Sequence, residues 1–368
     1  MKTTTLAAER RAKLAGAMTA AGIDVLVAYG NAWQGDYLMY VSDFAILEGH
    51  GLAVFTPDGS CRLYLDSATE IDRATGETAG IEVRFSQQIG RDVAADLGTR
   101  GKVRVAAAPL SFVPFALIEQ APLPIEDGTA LLDACLMYKL PAEVDRVRKA
   151  AQIADEAFVI FRRATQEGRK QFEVVAETES WLREAGVADN FMLIGSGGTD
   201  IYSVTPPSNR RLAKGDNVIT ELTPAVEGYF AQICRTVVVG DAGDAQKRAY
   251  DIYIEALEAG IGAVKPGALA SDVARAENDV FRKYGLGEYV TSAYTRVRGH
   301  GLGLFADSKP HILEDVDVEL RPGMTFVVHP NTYNPNVGYL MLGDSVAVTE
   351  TGCEVLTKTP RVLYDGAD

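Results

Sequence analysis

The chain has no run of about 20 apolar residues, so we expect no segment of it to span a membrane. Positively charged residues are outnumbered: the chain has 36 Lys and Arg and 50 Asp and Glu, which gives a net charge of −14. This balance disfavours a nucleic acid or an anionic membrane as partner, since both need a basic face. The four cysteines are scattered without a CxxC spacing, which predicts reduced thiols in a cytoplasmic protein.

The N-terminal segment lacks the uninterrupted apolar core of a signal peptide. Residues 1–24 read MKTTTLAAERRAKLAGAMTAAGID, and four charged residues lie close together between Glu9 and Lys13. This pattern predicts an amphipathic helix. With 368 residues, of which 47% are hydrophobic, the chain is too long for one ordinary domain and has enough apolar residues for two cores.

Residues 1–135 alternate between strand-like and helix-like segments. DVLVAYG is an apolar run ended by Gly30 and Asn31 and is typical of a buried strand. GLAVFTPDGSCRLYLD places two apolar stretches around a Pro-Asp-Gly turn, which predicts a hairpin. The alternation predicts an α/β domain over residues 1–135.

The remaining residues, 136–368, predict an α+β domain. Pro141 favours the start of a long helix, whose apolar residues recur every three or four positions from Val144 to Phe161. A second helix follows, and then strand-like stretches including NVITELTPAV and YFAQICRTVVVG. Two further helices and a last group of strands repeat this order. The second domain therefore looks like two similar halves, each with a helix pair followed by strands.

Five positions in the second domain carry the motifs of highest interest. Glu221 lies in GDNVITE, Gln232 in GYFAQICRT, His300 in RGHGLG, His329 in LRPGMTFVVHP and Gly343 in LGDSVAVTETG. In order and spacing these motifs resemble the creatinase / aminopeptidase P / prolidase superfamily (M24), whose fold is called pita-bread. The resemblance extends over nearly the whole chain. It implies a creatinase-type α/β N-terminal domain followed by an α+β pita-bread domain.

The resemblance also implies a dinuclear metal centre whose ligands have mostly been replaced. The family pattern has two Asp, one His and two Glu, with a bridging water as nucleophile. Here Glu221 and Gln232 stand at the two Asp positions, His300 keeps the histidine, and His329 and Gly343 stand at the two Glu positions. Two divalent cations need about four units of opposing charge, whereas this set supplies one carboxylate. We therefore expect no metal and no other cofactor, with Gly343 leaving space in the cavity.

Several functions remain open for this set of residues. The preferred one is a creatinase-like, metal-independent hydrolase that cleaves a C–N bond of a small polar molecule. Glu221, His300 and His329 would then act as acid, base and orienting groups, with one imidazole held protonated by the glutamate and Gln232 as a neutral hydrogen-bonding group. The alternatives are an eliminating enzyme, a mononuclear zinc or iron enzyme using Glu221, His300 and His329, and a non-catalytic module that binds a peptide or a small molecule.

Further residues are candidates for substrate binding. Arginines near the retained histidine could bind a substrate carboxylate. A tyrosine and other polar residues of the neighbouring motifs are further candidates for contact with the substrate. The candidates in the chain itself are Ser203, Tyr229, Arg235, Arg296, Arg298, Asp307 and Asp344. The resemblance implies a homodimer in which His50 reaches the partner subunit's cleft. An alternative interpretation of Glu221 is a buried carboxylate paired with Arg235.

Overall fold

The computed structural model describes residues 5–365. Contacts between residues divide the chain into two compact units, Met1–Leu136 and Met137–Asp368. The predicted N-terminal helix spans Leu6–Ala21 (α1), and residues 1–4 of the predicted segment lie outside the described residues. Within the described part of the chain, no helix combines the length and the apolar composition that a bilayer crossing requires.

The first unit is built on a mixed six-stranded sheet. Strand β2 is antiparallel to β1 and β3, and the other neighbours are parallel. The order across the sheet is β4-β3-β2-β1-β5-β6. The strands are β1 (Val25–Asn31), β2 (His50–Phe55), β3 (Cys61–Leu65), β4 (Glu82–Phe85), β5 (Val105–Ala108) and β6 (Ile125–Asp127). The other helices are α2 (Asp36–Ser42), α3 (Thr69–Glu77), α4 (Ile89–Gly98), α5 (Phe115–Gln120) and α6 (Thr129–Met137), with a 3-10 turn at Leu110–Phe112.

Local sequence explains the centre of this sheet. Six of the seven residues of β1, in the sequence VLVAYGN, are buried, as expected for a strand covered on both faces. The predicted hairpin is confirmed, because β2 and β3 pair antiparallel around the turn at Pro57 and Gly59. Gly59 has a φ of 90°, a conformation that favours glycine.

The second unit contains two helix pairs, each followed by antiparallel strands, as predicted. The first half has α7 (Pro141–Ala164), α8 (Gln171–Glu184), β7 (Asp189–Gly197), β8 (Asn217–Val226), β9 (Tyr229–Phe230) and β10 (Ile233–Val238). The second half has α9 (Asp244–Ala263), α10 (Ala270–Lys283), a 3-10 turn at Gly287–Val290, β11 (Gly299–Gly301), β12 (Ser308–His311), β13 (Thr325–Val328), β14 (Thr332–Asn334), β15 (Gly338–Leu340), β16 (Asp344–Val348) and β17 (Cys353–Val355). The strand orders are β10-β8-β7, with β9 on β8, then β12-β11-β13-β16-β17, and the pair β14-β15.

Helix α7 shows how the sequence directs this packing. Pro141 is its first residue, and the Glu143 carboxylate accepts a hydrogen bond from the Leu140 amide at 2.8 Å. Its apolar face is buried in one core with α8, β7, β8 and β10. Helices α9 and α10 pack in a separate core with β13 and β16.

The sheet of β8 and β10 and the sheet of β13 and β16 are joined by a backbone bridge between Cys234 and Gly343. The Cys234 amide donates to the Gly343 carbonyl at 3.1 Å, and the Gly343 amide donates to the Cys234 carbonyl at 3.0 Å. Cys234 on β10 lies opposite Glu221 on β8. The bridge therefore brings motifs that are more than a hundred residues apart in sequence to one place, where the sheets join.

Candidate active site

A cavity of about 400 Å³ lies between these sheets in the second unit. Its volume suits a small molecule. One part of its wall is apolar and the other carries carboxylate, amide, imidazole and guanidinium groups. The lining residues are Phe191, Leu193, Val204, Glu221, Gln232, Thr295, Arg296, Val297, His300, Ala306, Asp307, His329, Asn331, Tyr339 and Met341. The four polar positions singled out by the motifs, Glu221, Gln232, His300 and His329, are thus brought together.

Glu221 is the acidic group on the β8 side of the cavity. Its backbone pairs with Leu193 on one side and Cys234 on the other. Burial raises the pKa of its carboxyl to about 7; the nearby charge of Asp307 adds to this rise and Arg296 opposes it. Near neutral pH the carboxyl therefore populates both protonation states, which is what a general acid/base needs.

Gln232 is a neutral hydrogen-bonding group beside Glu221. It is 2% exposed, and its Nε2 donates to Glu221 Oε2 at 3.4 Å and to Cys234 Sγ at 3.3 Å. Its Oε1 accepts from the Thr223 hydroxyl at 3.4 Å. Its main-chain amide donates to Ser345 Oγ at 2.8 Å, which ties the residue to β16.

His300 and His329 form an edge-to-face imidazole pair. Their ring centroids are 5.6 Å apart at an interplanar angle of 66°. His300 Nδ1 lies 3.3 Å from the Gly301 carbonyl and 3.8 Å from Asp307 Oδ1. The Nδ1 of His329 is buried without a hydrogen-bond partner in the described chain.

Both imidazoles are neutral near pH 7. Burial lowers the pKa of His300, and the pKa of His329 lies well below its usual value because of burial and the adjacent His300. The expectation that Glu221 holds one imidazole protonated is therefore wrong. Desolvation sets the direction of both imidazole shifts, and Asp307 is the carboxylate that opposes it at His300. Glu221 is itself a group that shifts towards its neutral form.

Gly343 does not leave open space in the cavity. A Cβ atom at this position would lie 2.6 Å from the Cβ of His329, 3.1 Å from the Val328 carbonyl oxygen and 3.2 Å from the Cβ of Cys234. The expectation of vacant room is therefore wrong, because His329 and the main chain of β13 already fill it.

Arg296 and Asp307 line the cavity as an ion pair. Asp307 Oδ1 also lies 3.2 Å from Nε2 of His311, four residues further along at the end of β12. Of the side chains predicted to bind substrate, these two belong to the cavity wall. Both are more than 40% exposed, so a substrate group can compete for either partner.

Arg235 and Asp344 require a correction as substrate-binding candidates. Arg235 is 0% exposed and Asp344 is 1% exposed. Arg235 Nη2 lies 2.8 Å from Asp344 Oδ1, and Arg361 Nε lies 2.7 Å from Asp344 Oδ2. The alternative pairing of Glu221 with Arg235 is wrong for the same reason, because Asp344 is the carboxylate that neutralises this arginine.

Arg298 and Tyr229 are also buried away from the cavity wall. Arg298 Nε donates to Asn278 Oδ1 at 2.6 Å, and its Nη1 donates to the Asn331 carbonyl at 3.0 Å. The Tyr229 hydroxyl donates to Glu143 at 2.7 Å. Both side chains therefore connect elements of the fold, and their prediction as substrate ligands is corrected.

Ser203 lies outside the cavity wall as well, whereas the prediction for His50 concerns the cleft of a partner subunit. Ser203 is exposed, and it is the next residue, Val204, that lines the cavity. The prediction for this loop was therefore displaced by one residue. His50 belongs to the first unit, where it is exposed and its Nδ1 lies 2.7 Å from the Tyr29 hydroxyl.

Several lining residues were not predicted from the sequence. Asn331 is 4% exposed and follows His329 by two positions, so its place beside a conspicuous motif residue was a usable signal. Tyr339 and Met341 come from β15 and the segment after it, and Phe191 and Leu193 come from β7. No motif marks these four positions, and only the meeting of the sheets places them in one wall.

The side chains present do not fit a dinuclear metal centre. Glu221 is the one carboxylate at the five motif positions, while the others supply an amide, two imidazoles and a glycine. Residues 5–365 contain no group of three or more His, Cys, Asp or Glu side chains arranged to hold a metal ion. Glu221, His300 and His329 thus line one cavity without forming a ligand set of the two-His-one-carboxylate kind.

Comparison with known proteins identifies the family. The model of metallopeptidase family M24 matches residues 145–350, a range that contains all five motif positions. The chain belongs to this family, and its fold is the pita-bread fold implied by the resemblance. Membership of the family is compatible with a site that holds one carboxylate, because a fold does not by itself determine the chemistry of its site.

Individual relatives are named for action on Xaa-Pro dipeptides. A Pyrococcus furiosus protein named Xaa-Pro dipeptidase is 31% identical over 229 residues, 62% of this chain and 65% of that protein. The alignment thus spans slightly less than two thirds of this relative. A crystal structure of prolidase from Pyrococcus horikoshii OT3 superposes with a TM-score of 0.83 at 26% identity, covering 96% of this chain and 99% of the other. A Bacillus anthracis Xaa-Pro dipeptidase structure gives 0.85 at 26% identity, covering 98% and 99%.

Proposed function

We propose that this protein is a hydrolase that cleaves a C–N bond of a small polar molecule without the dinuclear metal centre of its family. The observation that carries the proposal is Glu221, whose carboxyl has a pKa of about 7 in a cavity of about 400 Å³. A group titrating near the working pH can both take up and release a proton. Two neutral imidazoles and the Gln232 amide surround the same space.

The reaction needs one proton acceptor and later one proton donor. Glu221 as carboxylate takes a proton from a water molecule while the water oxygen bonds to the carbon of the scissile C–N group. The π electron pair of that carbon moves onto its attached oxygen. When the intermediate collapses, the C–N bond breaks, its electron pair stays on nitrogen, and that nitrogen takes the proton from the Glu221 carboxyl. His300 and His329 orient water and substrate by hydrogen bonds.

Arg296 and Asp307 supply the polar groups that select the substrate. The guanidinium can hold a substrate carboxylate, and the Asp307 carboxylate can hold a substrate amine or hydroxyl. Their ion pair is partly exposed, so exchanging a protein partner for a substrate group costs little. Phe191, Leu193 and Met341 provide the apolar surface that orients the remainder of the molecule.

We further propose that the protein acts in the cytoplasm as a homodimer in which His50 reaches the cleft of the second subunit. The exposure of His50 and its fixed Nδ1 contact with Tyr29 support a role in contact with another molecule. Light scattering at micromolar concentration tests the assembly. A monomeric mass there would refute the dimer while leaving the hydrolase proposal intact.

The test of the function is turnover of defined compounds in water enriched in ¹⁸O. The set contains Xaa-Pro dipeptides, N-acyl amino acids and guanidino acids, and products are read by mass spectrometry. Hydrolysis places one solvent oxygen on the carbon of the cleaved C–N bond, in the new carboxyl group of a peptide or N-acyl product or in the urea released from a guanidino acid. Elimination incorporates no solvent oxygen. Glu221→Gln and His300→Ala should abolish turnover, while Glu354→Gln on β17, away from the cavity, should leave it unchanged.

Other outcomes have defined meanings. Product without solvent oxygen would establish an eliminating enzyme in place of a hydrolase. Binding of a compound to wild-type protein without any product would favour the non-catalytic binding module. Loss of activity on chelation, together with one zinc or iron per chain, would establish a mononuclear enzyme.

A further inference from the structure

Two buried side-chain amides converge on the sulfur of Cys234. Gln232 Nε2 lies 3.3 Å from Cys234 Sγ, and Asn331 Nδ2 lies 3.6 Å from it. The three residues are at most 4% exposed. Gln232 and Asn331 both line the cavity. A thiol sulfur is a weak hydrogen-bond acceptor, so neither amide is well satisfied by this contact.

The orientation of each amide is set by its oxygen. Asn331 Oδ1 accepts from the Leu342 amide at 3.0 Å, and Gln232 Oε1 accepts from the Thr223 hydroxyl at 3.4 Å. The nitrogens must therefore point the other way, towards Cys234. The Asn331 carbonyl is held in addition by Arg298 Nη1 at 3.0 Å. Donors held in this way need no rearrangement when a reaction begins.

Within the described residues, these amide nitrogens have few other hydrogen-bond acceptors. The second contact of Gln232 Nε2 is Glu221 Oε2, at 3.4 Å. Asn331 Nδ2 has no oxygen acceptor among residues 5–365. A buried donor without a good acceptor is destabilising, and a substrate oxygen would relieve that cost.

We propose that Gln232 and Asn331 form an oxyanion-binding site that takes the oxygen of the scissile C–N group. This inference rests on the proposed hydrolysis and names the groups that stabilise its negative charge. The charge arises when the π pair of the attacked carbon moves onto oxygen, and it is neutralised when the C–N bond breaks and the pair returns. Two neutral N–H donors thus stabilise this negative charge by hydrogen bonds. A pair of divalent cations would serve the same purpose, but the site has too few carboxylates to bind them.

The position of Glu221 is consistent with this assignment. A carboxylate beside an oxyanion would repel it, but Glu221 has accepted the proton of water by the time the oxyanion exists. Its neutral carboxyl then adds no opposing charge. The other charged groups of the cavity wall, Arg296 and Asp307, form an ion pair with each other.

The test compares Asn331→Asp and Asn331→Ala with a matched control. Asp keeps the oxygen that accepts from Leu342 but removes both N–H donors. Asn334→Asp is the control, because Asn334 is also buried, at 2% exposure against 4% for Asn331, lies on β14 and does not line the cavity. Its side-chain oxygen likewise accepts a main-chain amide hydrogen bond, from Asn336 at 3.0 Å.

Two measurements are made on the full chain. Calorimetry with methylphosphonate, a tetrahedral oxyanion that needs no turnover, is run at pH 6, where Glu221 is mainly protonated. Wild type and Asn334→Asp should bind it equally, and both Asn331 variants should bind at least about tenfold more weakly. For a compound that is turned over, the Asn331 variants should lose about 10²–10³-fold in kcat with a smaller change in KM.

The outcomes separate this proposal from the proposed function. Methylphosphonate binding that depends on Asn331, without turnover of any compound, would keep the oxyanion site and refute the hydrolase. Turnover that survives in Asn331→Asp and Asn331→Ala would keep the hydrolase and overturn the oxyanion site. Equal methylphosphonate affinity in wild type and the Asn331 variants, or no affinity in wild type, would also overturn it.

Discussion

The Cβ atom of His329 occupies the position that a side chain at Gly343 would need. A Cβ built on Gly343 would lie 2.6 Å from it, whereas carbon atoms in contact lie about 3.5–4.0 Å apart. In the resemblance seen in the sequence, both positions stand where the family pattern has metal-binding glutamates. Any side chain at position 343 would therefore collide with the Cβ of residue 329 unless the main chain shifted.

This relationship predicts that Gly343→Ala destabilises the fold by about 1–3 kcal/mol, the usual cost of overpacking. Because the clash involves the Cβ of His329, the cost should fall in a His329→Gly background, although the Val328 carbonyl contact remains. Urea unfolding of the two single variants and the double variant measures the coupling. Gly352→Ala, which meets no atom within 4 Å, is the control. The same cost in both backgrounds would contradict a direct contact.

The raised pKa of Glu221 predicts a pH-dependent gain in stability for Glu221→Gln. The folded protein binds this proton more tightly than the unfolded chain, so wild-type stability falls as pH rises from 4.5 to about 7. Above pH 7 the full penalty, up to about 3 kcal/mol at 1.4 kcal/mol per pKa unit, is present. Gln does not ionise, so the variant should gain stability at pH 8 and gain little at pH 4.5. Thermal unfolding across this range measures the difference, and a gain independent of pH would contradict the assignment.

The acid-base role of Glu221 predicts a matching activity profile. Turnover should rise with pH through about 7, as the carboxylate form becomes available to accept a proton. The two imidazoles, whose pKa values lie below the usual range, should remain neutral over this interval. The pH dependence of kcat/KM measures the titration. A rise centred near the ordinary glutamate pKa would show that another group is the base.

The charge of the site predicts that the purified protein carries less than two divalent ions per chain and keeps its activity after chelation. One carboxylate cannot balance two adjacent divalent cations. Elemental analysis by mass spectrometry, with activity measured before and after dialysis against EDTA, tests both statements. Two ions per chain would refute a metal-independent site built around Glu221.

The buried pair of Arg235 and Asp344 predicts a large structural effect without a direct effect on substrate binding. Asp344→Asn leaves Arg235 buried without its charge partner, a change that costs about 3–5 kcal/mol. Burial alone would raise the pKa of Asp344, but Arg235 and Arg361 bring it below its usual value. Its stabilising effect should therefore be lost as pH falls through the acid range below 4. Denaturant unfolding measures the loss, and KM of the remaining folded fraction should match wild type.

Much of the architecture followed from the sequence because its signals are local or periodic. Local patterns predicted the helix pairs and the hairpin around Gly59. The pita-bread fold was implied by the resemblance of the ordered motifs to a known family, and the family match confirms it. The burial of Glu221, Gln232, His300 and His329 around one cavity follows from that fold. The protonation states were harder to predict, because desolvation depends on how completely the sheets close over each group.

The sequence by itself determined the family and the shortage of carboxylates that disfavours two metal ions. These properties depend on residue type and order alone. Only the tertiary structure decided that Arg235, Arg298 and Asp344 are buried structural groups, that Asn331 faces the cavity, and that His329 fills the space beside Gly343. The physical reason is that the exposure, close packing and hydrogen-bond partners of these residues depend on contacts between two sheets that are distant in sequence. A local sequence pattern contains no information about those contacts.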